Sequence, residues 1–222
     1  MPSYLRPREK AYRYGLDSLS DHELLAIILG SGTKENNVLI LANDLLNDYG
    51  GLYSLSNAKS NDLLKYKGLG KVKCITLLTM FELLKRINYY KIEEESPLKI
   101  DAEFIGKKYL IKLANLDREN LYIIVIDHQG KISFETALTL GSDVAVKVYL
   151  REIKKIVYSH NGSGYYLVHN HPSGNTAPSV LDDSFCLALS DIGKKIGLKL
   201  LGLIIIGKGK YSLVNQMNTY KF

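Results

Sequence analysis

Val168-His169-Asn170-His171-Pro172-Ser173-Gly174, continuing through Pro178-Ser179 to Asp182, is the stretch from which the rest of the chain is read. The apolar run Tyr165-Tyr166-Leu167-Val168 before it reads as a strand, and residues two apart on a strand leave the same face. His169 and His171 therefore leave together at its end and can grip one cation. Pro172 and Gly174 break the strand, and a polar loop leads to Ser179, a good helix N-cap. Asp182 then lies in the first helical turn, where its carboxylate can point back at the imidazoles. Two nitrogens and one oxygen are the ligand count of a catalytic metal centre, with a fourth position left for water.

Outward from that stretch, strands and helices alternate. Leu121-Tyr122-Ile123-Ile124-Val125-Ile126 reads as a buried strand ending in the turn Asp127-His128-Gln129-Gly130. Ile132, Phe134, Thr136 and Leu138 alternate with Ser133, Glu135, Ala137 and Thr139, a second strand stopped at Gly141. A helix with Val148, Ile153, Ile156 and Val157 inward closes at His160-Asn161-Gly162, where His160 suits the negative end of the helix dipole. Beyond the Asp182 helix, Leu200 to Ile206 reads as a central strand and Tyr211 to Val214 as a last edge strand. Before the first strand, Phe104, Tyr109, Ile111 and Leu113 fit a helix. The order β-β-α-β-α-β-β is α/β with a mixed sheet.

The first half is helical. Arg6-Pro7-Arg8-Glu9-Lys10 leads into a short helix ending at Gly15. Ser20-Asp21-His22-Glu23 is a capping box that opens the apolar run Leu24 to Leu29. Val38, Leu41, Leu45 and Leu46 predict a helix closed by Gly50-Gly51. Asp62 to Lys73 then reads as helix, Gly68-Leu69-Gly70 turn and second helix. This resembles a helix-hairpin-helix module, in which Lys67, Gly68, Gly70 and Lys71 would meet a nucleic-acid phosphate through backbone N–H groups and charge. The plain alternative is a tight helical hairpin with solvated lysines. Tyr89 to Pro97, with Glu93-Glu94-Glu95 before the proline, has no periodic apolar face and reads as a linker. The expected division is a helical domain over 1–90, a linker over 91–98 and a metal-binding domain over 99–222.

Composition sets outer limits. A chain of 222 residues, 46% hydrophobic and 23% charged, argues against disorder and is long enough for one large or two small domains. The apolar runs are far too short to span a bilayer, and Met1 to Arg6 lacks the apolar core of a signal peptide, so a cytoplasmic protein without membrane contact is expected. Cys74 and Cys186 each sit in an apolar helical pattern and read as buried thiols. The net charge of +6 permits contact with nucleic acid without establishing it. His22 and His128 read as exposed at a helix start and a turn.

His169-x-His171, seven residues, Ser179, two residues, Asp182 resembles the JAMM motif of the JAB/MPN metalloprotease superfamily. The fuller His-Asn-His-Pro-Ser-Gly, the N-terminal Pro-Arg-Glu-Lys and Leu-Ser-Asp-x-Glu-Leu-Leu, the Gly-Leu-Gly hairpin and Ile-Ile-Ile-Gly resemble the RadC family within it. The resemblance implies a JAB/MPN-like, cytidine-deaminase-like mixed sheet flanked by helices, preceded by an all-α domain. It also implies one zinc ion held by His169, His171 and Asp182, and a metallopeptidase acting on a peptide or protein substrate. Ser179 would donate a hydrogen bond to the developing oxyanion besides capping its helix. The general base could be Glu119, Glu135 or Glu152; the superfamily's glutamate opens a strand that precedes the His-x-His segment, which points to Glu119. Where RadC-like chains carry Asp-His before Ile-Ile-Ile-Gly, this one has Gly202-Leu203, and Val148-Tyr149-Leu150 replaces a His-Pro before Arg151-Glu152. The metal ligands are untouched. The alternative function is a DNA-associated protein, linked to repair or recombination, whose metal site is structural or vestigial.

Overall fold

The computed structural model describes residues 6–32, 37–138, 146–214 and 219–221, with side-chain surroundings not described for 146–149 and 219–221. The chain divides into two compact units, residues 1–87 and 88–222.

The first unit is helical: α1 (Pro7–Tyr14), α2 (Asp21–Leu29), α3 (Val38–Tyr49), α4 (Leu52–Leu55), α5 (Ser60–Leu63) and the start of α6 (Lys71–Glu94). The Ser20/Glu23 capping box forms as expected, and Gly50 ends α3 in the left-handed conformation. Its core gathers Leu25, Leu41, Leu45, Leu55, Leu63, Leu69, Leu77 and Phe81. The first helix of the hairpin is a single turn, α5, and Gly68 in the following turn has φ 96. Residues 91–94, expected as linker, are the last turn of α6. The i,i+4 pair of Lys91 with Glu95 lies along that turn, so the acidic run is compatible with helix despite having no apolar face.

The second unit holds α7 (Ala102–Leu113), β1 (Leu121–Asp127), β2 (Ile132–Leu138), α8 (Val146–Ser159), β3 (Gly162–Asn170), α9 (Val180–Lys195), β4 (Leu200–Ile206), β5 (Tyr211–Val214) and β6 (Thr219–Lys221). The sheet order is β2-β1-β3-β4-β5-β6, with β3 and β4 parallel and every other neighbour pair antiparallel. It is the expected α/β mixed sheet with one addition. Tyr211–Val214 is not an edge, because β6 pairs beyond it. The strand entering His169 also begins earlier than the apolar run suggested, at Gly162. Thr139, the stop at Gly141 and the inward placement of Val148 lie outside the described residues.

Both faces of the sheet are covered, which is why β1 is apolar from Leu121 to Ile126 and β4 carries no polar side chain. Ile123, Val125, Leu167, Leu203 and Ile205 face α8 and α9, meeting Ile153, Val157, Cys186 and Leu189. The alternate residues Ile124, Ile126, Val168, Ile204 and Ile206 face α7, meeting Ile105, Tyr109 and Leu113. The turn after β1 is set by Asp127, whose carboxylate accepts from the Gln129 and Lys131 N–H groups. Cys74 and Cys186 are buried free thiols. Among the described residues, no helix is long and apolar enough to cross a membrane.

Candidate metal centre

β3, α9 and β4 form a parallel crossover unit, and such units place ligand sites beyond the carboxyl ends of their strands. β3 ends at Asn170, and the His171 N–H donates to the Ile206 carbonyl at 2.9 Å, carrying the ladder with β4 one residue further. His169 lies on the Leu167 side of β3, the side covered by α9, and the first turn of α9 brings Asp182 back over it.

His169, His171 and Asp182 come together, with one ligand atom from each lying within 4.8 Å of the others. His169 Nε2 and His171 Nε2 each stand 3.4 Å from a carboxylate oxygen of Asp182, with side-chain exposures of only 12%, 14% and 15%. That spacing is informative. The oxygens differ, Oδ1 for His169 and Oδ2 for His171, so each nitrogen–oxygen pair taken singly matches the roughly 3.4 Å edge of a tetrahedral site with bonds of about 2.0–2.1 Å. His169 Nε2 is buried without a hydrogen-bond partner, an orphaned polar atom that would otherwise cost free energy. The residues therefore fit a metal ion.

His171 Nδ1 is 2.8 Å from the Asn175 carbonyl, which can only accept, so Nδ1 carries a proton and Nε2 is the nitrogen turned toward Asp182. Burial pushes the His169 imidazole down from 6.5 to about 4, against the opposing pull of Asp182. Burial also works to raise the Asp182 carboxyl, but hydrogen bonds from the Ser179 hydroxyl and N–H, both 2.7 Å, help hold it below its ordinary value. At neutral pH His169 is therefore a neutral imidazole beside an ionised Asp182.

The loop between the ligands is anchored from β4 and β5. The Ser212 hydroxyl donates to the Thr176 carbonyl. Gly207 lies so close that a Cβ there would collide with the Gly174 carbonyl oxygen and meet Thr176 Cγ2 at 2.7 Å. The glycine of Ile-Ile-Ile-Gly is thus required by close approach of the metal loop.

The other expected site residues are placed as follows. Ser179 caps α9 and donates to Asp182 Oδ2, so its hydroxyl is engaged with a ligand. Glu119 is exposed, two residues before Leu121, whose register partner is His169. It precedes β1 rather than belonging to it, and it is not a member of the ligand cluster. Glu152 is exposed on α8, next to the inward Ile153. Glu135 is corrected: it pairs in register with Ile124 on the α7 side of the sheet and accepts from Lys108 Nζ at 3.0 Å. The sheet separates it from the histidines, because alternate residues face opposite sides. Lys67, Gly68, Gly70 and Lys71 surround the α5–α6 turn of the first unit, with both lysines exposed. His22 is 3.1 Å from the Ser20 hydroxyl, His128 is exposed, and His160 Nδ1 is 2.8 Å from the Ile156 carbonyl and stacks on Phe134.

Sequence reasoning missed Asn170, Asn175, Ser212 and Gly207. Asn170 carried one signal, an amide inside an apolar strand on the face opposite the histidines. Its partners, Arg118 and Asn120, lie some fifty positions away and leave no local trace.

Two family descriptions match the chain: UPF0758 N-terminal over residues 1–75 and RadC-like JAB domain over residues 103–218. A UPF0758 protein of Clostridium botulinum (strain Hall) is 35% identical over 219 residues, 99% of this chain and 96% of its own length. A UPF0758 protein of Chloroflexus aurantiacus is 33% identical over 210 residues, 95% of this chain and 91% of its own length. With a matching JAB domain that contains the His-His-Asp cluster, and full-length relatives at this identity, the chain belongs to the RadC family.

Proposed function

We propose that the protein is a zinc-dependent metallohydrolase of the JAMM type, cleaving an amide bond in a peptide or protein substrate. The observation that carries this reading is the buried, unpartnered Nε2 of His169, 3.4 Å from a carboxylate oxygen with a second imidazole beside it. When bound, such an ion lowers the pKa of a water and polarises the substrate carbonyl. Glu119 takes the proton of the attacking water as the water oxygen bonds to the carbonyl carbon, then delivers it to the leaving nitrogen as the C–N bond breaks. Ser179 fixes Asp182 through its hydroxyl and N–H; as an oxyanion donor its one hydroxyl proton would turn from Asp182 to the substrate in the transition state. The reading places the protein in the cytoplasm, in keeping with its two buried free thiols.

Metal analysis of the purified protein is expected to find one zinc ion per chain, lost in His169→Ala and in Asp182→Ala. Glu119→Gln is expected to keep the ion and lose turnover in a peptidase screen. Wild-type protein with intact histidines that takes up no zinc removes this reading.

A second reading concerns the first unit, where exposed Lys67 and Lys71 flank the Gly68 turn. It would bind DNA phosphate there, with affinity falling steeply as salt rises. Binding that persists in the Lys67→Glu, Lys71→Glu double variant counts against it.

A further inference from the structure

We infer that Asn170, the residue between the two histidines, is a positioning residue that sets the general base in place. This rests on the proposed role of Glu119. Asn170 is 1% exposed and projects from β3 to the side opposite His169 and His171. Its carboxamide reaches the chain immediately before β1. Oδ1 accepts from the Asn120 N–H at 2.9 Å, and Nδ2 donates to the Arg118 carbonyl at 3.0 Å. Both halves of one amide are thereby used on the two residues that bracket Glu119.

Those bonds satisfy two main-chain groups where the β1 ladder runs out, which any buried strand end requires. The Arg118 carbonyl also accepts from Asn120 Nδ2 at 2.8 Å, and the carboxamide meets both main-chain groups at once because its acceptor and its donor sit on separate atoms. The two-point grip also fixes the peptide orientation on each side of Glu119, and with it the direction in which its Cα–Cβ bond leaves the chain. Asn170 thus ties two distances to one strand end: its neighbours supply imidazoles to the ion, and its side chain sets the carboxylate that must work beside that ion. Preorganisation of this kind matters because a displacement of about 1 Å at a reacting group can cost about a hundredfold in rate.

Cobalt(II) in place of zinc gives a test that needs no substrate, because its pseudocontact shifts report where each nucleus lies relative to the ion. In the wild type, shifted resonances are expected for Glu119 and Asn120. Asn170→Ala is expected to bind cobalt as the wild type does and to keep the shifts of the α9 first turn, while those of Glu119 and Asn120 are lost or moved. Should Asn170→Ala fold poorly, Asn170→Asp keeps the acceptor for the Asn120 N–H and removes the donor to Arg118. There the Asn120 shift is expected to persist while that of Glu119 moves. Wild-type shifts at Glu119 in both variants overturn the inference, as does a variant that loses cobalt and all shifts together, which would make Asn170 a support of the ligands alone. Cobalt uptake with no shift at Glu119 in the wild type removes the base assignment instead, and no cobalt uptake by the wild type removes the metal reading itself.

Discussion

The imidazole of His169 is governed by burial, and this gives the metal-free protein a measurable pH dependence. Its folded pKa of about 4 lies below the ordinary 6.5, so between those values the unfolded chain binds the proton more readily. The contribution to stability is complete above pH 6.5 and is lost as pH falls toward 4. Urea unfolding of metal-free protein should show a loss on the order of 2 kcal/mol between pH 7 and pH 5 from this residue. His169→Asn should flatten that slope; an unchanged slope would place its origin elsewhere. Glu135 makes the contrasting case on the other side of the sheet. Burial works against the charge of Lys108, but Glu135 at 3.0 Å and Glu93 at 3.1 Å outweigh it and hold the ammonium protonated. Glu135→Ala should cost about 2 kcal/mol in thermal or urea unfolding. It should leave metal content untouched, and a variant lacking metal would contradict the separation of the two faces.

At the scale of the element, the first turn of α9 performs two tasks with one pair of residues. Ser179 and Asp182 form a capping box, each satisfying a main-chain N–H of the other, and the same carboxylate faces both imidazoles. Helix start and metal site therefore stand or fall together. Ser179→Ala should lower stability by about 1 kcal/mol through the lost cap. It should also weaken metal binding by about tenfold, because Asp182 loses an orienting partner. A chelator competition titration measures the second effect, and full affinity in a destabilised variant would show that the cap does not orient the ligand.

For the whole molecule, each unit has its own core. The cluster around Leu45 and Leu77 lies within the first unit, and the two clusters on either side of the sheet lie within the second. Residues 88–222 expressed alone should therefore melt cooperatively and bind one metal ion with the affinity of the full chain, read by calorimetry; a fragment that folds but binds none would make the site depend on the first unit. The sequence by itself determined much of this arrangement. The alternation in β2, the caps at Ser20 and Ser179, the two-residue spacing of the histidines and their distance from Asp182 are local properties, because strand pleat and helix capping act within a few residues. Tertiary structure decided the rest. It added β6 beyond β5, extended α6 through residues 91–94, and placed Glu135 behind the sheet with Lys108. It also set Asn170 against Arg118 and Asn120, and passed the metal loop across Gly207. These depend on strand register and on which face each helix covers, and such contacts join residues whose separation along the chain carries no periodicity to read.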